Sequence, residues 1–78
     1  MIFDRLVPLV AAQFGIKAED ITMETSLIED LDADSIDGVE LMMAVEEEFG
    51  ISEVEETALE KVKTIGDVVN YISDRVDD

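Results

Sequence analysis

The sequence predicts an all-α fold: a small four-helix bundle of three longer helices and one short helix, with a long loop between the first and second helices. Apolar residues recur at helical spacing in three separate stretches, and glycines or capping patterns bound those stretches. The chain has 78 residues, 47% of them hydrophobic, which is enough for one modest core and predicts a single domain, 1–78.

The first helix is predicted from about Asp4 to Phe14, on the spacing of Phe3, Leu6, Val7, Leu9, Val10 and Phe14, with Gly15 as its stop. Pro8 inside it would lose a backbone bond and crowd the carbonyl of Asp4. Either the helix starts late, with Asp4 near its N-cap, or it bends there. From Ile16 to Asp34 no periodicity is sustained and Thr, Ser, Asp and Glu abound, which predicts the long loop. Its apolar residues Ile16, Ile21, Leu27, Ile28 and Leu31 are expected to pin it to the core.

Ser35 to Phe49 is the best helix in the chain and carries two apolar faces. Leu41, Met42, Val45 and Phe49, with Gly38 among them, form an ordinary core stripe. Ile36, Val39 and Met43 lie nearly opposite, with Glu40 and Glu47 close by and Asp37 further around. One core does not need both faces. The second row is either a docking surface edged with acids or is covered by the long loop. Beyond Gly50, Thr57 to Val62 predicts the short helix, with Ala58, Leu59 and Val62 inward. Thr64 and Asp67 then make a capping pattern for the last helix. Its inward residues are Ile65, Val68, Val69, Ile72 and Val76, and Arg75 suits its C-terminal dipole.

Composition excludes most chemistry. There is no Cys and no His, so a disulfide, a zinc site, a Ser-His-Asp triad and a cysteine nucleophile are all ruled out, and the chain is not expected to be an enzyme. No apolar run approaches the ~20 residues of a membrane span, and the acidic start Met1-Ile2-Phe3-Asp4 is no signal peptide. A soluble, cytoplasmic monomer is expected. The net charge of −16 is concentrated: sixteen Asp and Glu and no basic residue fall between Lys17 and Lys61. Such a field repels nucleic acid and anionic lipid and attracts basic protein surfaces or divalent cations.

Asp34-Ser35-Ile36 opening a helix has a plain structural explanation, with Ser35 as N-cap and Asp34 or Asp37 at the positive end of the dipole. The wider stretch points elsewhere. Leu31-Asp32-Ala33-Asp34-Ser35-Ile36-Asp37 resembles the prosthetic-group attachment motif of the acyl carrier proteins. Val39-Glu40-Leu41 and Glu46-Glu47-Glu48-Phe49 resemble the helix that follows it, and 5–15 and 61–72 resemble that family's first and last helices. The resemblance implies that Ser35 carries covalent 4′-phosphopantetheine, attached by a separate phosphopantetheinyl transferase (a holo-acyl-carrier-protein synthase). Acyl chains would then ride on the arm as thioesters. It further implies that Asp34, Ile36, Asp37, Val39, Glu40, Met43 and Glu47 are read by the transferase and by acyl-handling enzymes of fatty acid synthesis through basic patches.

The sequence departs from the family pattern at Asp32, where Gly is frequent, at Gly38 inside the second helix, at Pro8, and at Ser52-Glu53-Val54-Glu55 in place of an Ile-Pro-Asp segment. Carriers for polyketide, peptidyl or D-alanyl transfer are the alternatives within the class. Outside it stands an unmodified acidic adaptor using Ile36, Val39 and Met43. A calcium loop starting at Asp30 fails, because its sixth position is Ser35 rather than Gly and its twelfth is Leu41 rather than Glu.

Overall fold

A computed structural model describes residues 1–51 and 61–76. The described elements are α1 (Ile2–Phe14), a 3-10 turn (Ala18–Asp20), α2 (Ser35–Phe49) and α3 (Ile65–Arg75). There is no strand among the described residues, and the architecture is the helical one predicted. The short helix expected over Thr57 to Val62, and the departure at 52–55, lie outside the described residues except for the end at Val62, which packs against the core.

α1 packs against α2, α3 and the 3-10 turn. Leu6 and Val10 from α1, Leu41, Met42 and Val45 from α2, and Ile65, Val68 and Ile72 from α3 are buried together. These are the predicted inward stripes, and removing them from water is the main driving force for the fold. α1 begins at Ile2, two residues earlier than expected, and runs unbroken through Pro8. Asp4 and Pro8 are both exposed, so water is at hand for the carbonyl that the missing proline N–H would have bonded. Gly15 and Gly50 close α1 and α2 in the left-handed conformation, at φ 65° and 68°. Arg5 ties α1 to the end of α2. Its guanidinium donates to the Glu48 carbonyl at 2.7 Å and to Glu48 Oε2 at 3.2 Å. It also lies 4.5 Å from the centre of the Phe49 ring.

The long loop is held by its backbone as much as by its side chains. An isolated antiparallel bridge pairs Ser26 with Thr64. Around it, Leu27 N–H donates to the Lys63 carbonyl at 2.9 Å, Ile65 N–H to Thr25 at 3.0 Å, and Gly66 N–H to Met23 at 2.8 Å. At Gly66 a Cβ would stand 3.0 Å from the Met23 carbonyl oxygen, so a side chain there would push the loop away. Ile21 and Leu27 are buried, and Ile16 and Leu31 pack against the core as expected. Ile28 does not: it is 67% exposed. The turn after Leu27 points it outward, while Ala33 N–H donates back to the Leu27 carbonyl at 2.9 Å and closes the loop.

α3 starts with the predicted capping box. Asp67 N–H donates to Thr64 Oγ1 at 3.2 Å, and Asp67 Oδ2 accepts from the N–H groups of Lys63 at 2.9 Å and Thr64 at 3.2 Å. The Lys63 and Thr64 backbone bonds lower the Asp67 pKa.

Candidate functional site

The N-terminus of α2 is built by two aspartates. Asp34 is the N-cap: its Oδ1 accepts the Asp37 N–H at 2.9 Å, and Asp37 Oδ2 accepts the Asp34 N–H at 3.3 Å. This reciprocal box replaces the structural explanation that made Ser35 the cap. Ser35 is instead the first residue inside the helix, exposed, and its hydroxyl has no hydrogen-bond partner among the described residues. The cap consumes the Asp37 N–H. The N–H groups of Ser35 and Ile36 precede any intrahelical acceptor. Just upstream, Asp32 has φ 53°, the left-handed region that glycine occupies most freely. Asp is among the few side chains that tolerate it, which accounts physically for the departure at this position.

Ile36, Val39 and Met43 are 66%, 43% and 60% exposed, so the long loop does not cover the second apolar row of α2. Glu47 is exposed beside it. Asp37 is half-buried and occupied in the cap. Glu40 turns toward α1, where Gln13 Nε2 donates to its Oε2 at 2.8 Å. Of the expected docking residues, Ile36, Val39, Met43 and Glu47 are exposed and Asp34 and Glu40 are exposed as well, but Asp34, Glu40 and the half-buried Asp37 each hold a structural contact.

Beside Ser35 a cavity of 480 Å³ opens between α2, α3 and the loop. Asp34 and Ser35 stand at its edge, while Leu27, Leu41, Met42 and Val68 supply buried apolar wall. The sequence does not reveal this cavity, and two residues that line it, Ile28 and Gly38, are expected from the sequence in the core instead. For Gly38 a signal existed: it follows Ser35 by three residues, on the same helix face, and sits at neither helix end. Among the described residues no group of three or more acidic side chains is arranged to hold a metal ion, and no described helix is long and apolar enough to cross a membrane.

An exposed serine therefore leads α2 beside a cavity with an apolar wall, in a small acidic bundle. Three comparisons with known proteins bear on this arrangement. Residues 4–72 match the family model described as a phosphopantetheine attachment site. An acyl carrier protein of Clostridium acetobutylicum is 56% identical over 72 residues, covering 92% of each chain. A solved acyl carrier protein structure from Enterococcus faecalis superposes with a TM-score of 0.77 at 31% identity, over 95% of this chain and 92% of that one. The chain belongs to the acyl carrier protein family, whose cofactor is covalent 4′-phosphopantetheine.

Proposed function

We propose that this chain is a single-domain cytoplasmic carrier of fatty acid biosynthesis, with Ser35 as the point of attachment. When bound, the phosphopantetheine arm supplies the terminal thiol, which the chain lacks, for holding acyl groups as thioesters. One observation carries the reading: Ser35 heads α2 with an exposed hydroxyl that the local structure does not use, because Asp34 already caps the helix. The chain's residues fit the group. The Ser35 and Ile36 N–H groups favour a phosphodiester at the helix N-terminus, and Asp34 and Asp37 oppose it in part. The neighbouring cavity suits an acyl chain, since its buried wall is apolar.

Ser35 is an acceptor and not an activated nucleophile. The chain has no His, and the nearby Asp34 and Asp37 carboxylates accept backbone N–H groups. Removal of the hydroxyl proton therefore falls to the transferase. Partners with basic patches meet the acidic α2, using Ile36, Val39 and Met43 as the apolar contact and Glu40 and Glu47 as the charged one. Electrostatic attraction speeds encounter more than it prolongs the complex, which suits a carrier that must release. Asp34 and Asp37 belong to the transferase's reading of the site.

The direct test is whether the modified chain serves the enzymes of a reconstituted, dissociated fatty acid synthase. Elongation of an acyl group on the chain supports the reading. Refusal by those enzymes together with acceptance by polyketide, peptidyl or D-alanyl systems would reassign the pathway.

A further inference from the structure

We infer that the transferase's footprint extends beyond α2 onto the long loop, where Ile28 is an apolar contact for it. The inference rests on Ser35 as the attachment point and adds a specificity-determining residue to that reading. Ile28 is 67% exposed, as much as Ile36 on α2. A single exposed isoleucine is ordinary on a protein surface. Two observations set this one apart. Its place is the first: Ile28 from the loop and Val39 from α2 both line the cavity beside Ser35, and both are exposed. The attachment point therefore has exposed apolar side chains near it on two elements, not one. The second is that the turn holds Ile28 there. Ser26 N–H donates to Asp30 Oδ2 at 2.7 Å, Glu29 N–H to Ser26 Oγ at 3.1 Å, and the N–H groups of Asp30 and Leu31 to the Ser26 carbonyl at 3.0 and 3.1 Å. Leu27 is buried and Leu31 packs against the core, so the inward positions of this turn are already filled. A side chain fixed in place beforehand loses less freedom when a partner covers it.

An acyl chain inside the cavity would meet Ile28 from within, whereas its exposed surface is covered only by a body lying over the loop. The chemistry of attachment says which body. Joining Ser35 Oγ to the pantetheine-bearing phosphorus of coenzyme A breaks the pyrophosphate bond and releases adenosine 3′,5′-bisphosphate, and the hydroxyl proton passes to the transferase. The donor's phosphates must touch Ser35, so the enzyme that holds them lies directly over it. Enzymes that act on the terminal thiol work at the far end of the arm and need no such closeness. Charge points the same way. Glu29, Asp30, Asp32 and Asp34 in this stretch are all exposed, and no basic residue lies between Lys17 and Lys61. The surface that fits is an apolar patch edged with Lys or Arg, the same chemistry that suits Ile36, Val39 and Met43.

The test measures transfer of phosphopantetheine from coenzyme A to the unmodified full chain by a holo-acyl-carrier-protein synthase. The parent, Ile28→Ala and Ile28→Leu are compared at two salt concentrations. Ile28→Ala is expected to melt with the parent, because the side chain is exposed, and to lower kcat/KM roughly five- to tenfold, through KM. The loss should be the same at both salt concentrations, since no charge has changed, and Ile28→Leu should restore most of the rate. Unchanged kcat/KM in Ile28→Ala, or a loss that follows a lowered Tm, would overturn the contact and leave Ser35 standing. So would an unchanged rate of loading joined to a smaller rise in Tm on octanoyl attachment, which would assign Ile28 to the cargo. Failure of the parent chain to gain the arm would overturn Ser35, and this inference with it.

Discussion

Asp34 caps α2, which leaves the adjacent Ser35, the proposed attachment point, out of the cap. The cap bond belongs to Asp34, so Ser35→Ala is expected to leave stability within about 0.5 kcal/mol of the parent. Asp34→Ala is expected to cost about 1 kcal/mol. Denaturant unfolding of the two variants checks this, and a larger loss for Ser35→Ala would return the cap to the serine. Asp67 gives a second test, through pH. Its folded pKa lies below its unfolded value because the Lys63 and Thr64 N–H groups hold the carboxylate. Its contribution is therefore full above the unfolded pKa, near 4, and is lost as pH falls through the folded pKa. The stability gap between the parent and Asp67→Asn should hold from neutral pH down to about 4 and close in stronger acid. A gap that widened on acidification would contradict the assignment.

Among the elements, α2 was the most legible. Gly50 and the Asp34-Ser35 start marked its ends, and a helix with two apolar stripes keeps its periodicity whichever stripe is buried. The loop was legible only as a loop. Its order comes from bonds to residues 63–66, some forty positions away, and periodicity carries no information about such pairing. Ile28 was misassigned for the same reason: hydrophobicity says that a residue would gain from burial, not that the backbone turn allows it. The start of α1 was set too late because Pro8 argued against a helix that the apolar face of Ile2 and Phe3 nonetheless sustains. Glu40 was predicted to dock, and the Gln13 contact adds a structural tie that sequence spacing could not reveal. Glu40→Lys should therefore cost less than about 1 kcal/mol of stability while slowing partner turnover. The slowing should shrink as salt is raised. Steady-state assays with a basic-patched acyl-transfer enzyme at two ionic strengths would show it, and unchanged turnover at low salt would remove Glu40 from the docking surface.

For the whole molecule, charge is the governing quantity and was the most secure inference from sequence, since it needs no geometry. A net charge of −16 sits on a body of 28 × 25 × 18 Å. The screening length is about 10 Å at 0.1 M salt, shorter than any of those extents, so added salt weakens repulsion across the molecule. Relieving about 1 kcal/mol of that repulsion would raise the Tm of so small a domain by roughly 4–8 °C. Thermal scans from low to moderate sodium chloride are expected to show a rise of this order, with divalent cations acting at lower concentration. A Tm indifferent to salt would mean that the acidic surface costs the fold nothing. Under the proposed function the same field draws basic partners toward α2, so stability and encounter rate should respond to salt in opposite directions.

Ser35, among the serines at 26, 35, 52 and 73, is the proposed attachment point. Intact mass before and after incubation with coenzyme A, magnesium and a broad-specificity phosphopantetheinyl transferase tests it most directly, with Ser35→Ala alongside. A gain of one phosphopantetheine is expected in the parent and none in a folded Ser35→Ala. A gain by the variant, or none by a folded and previously unmodified parent, would contradict it, and the latter would favour an unmodified adaptor that docks through Ile36, Val39 and Met43.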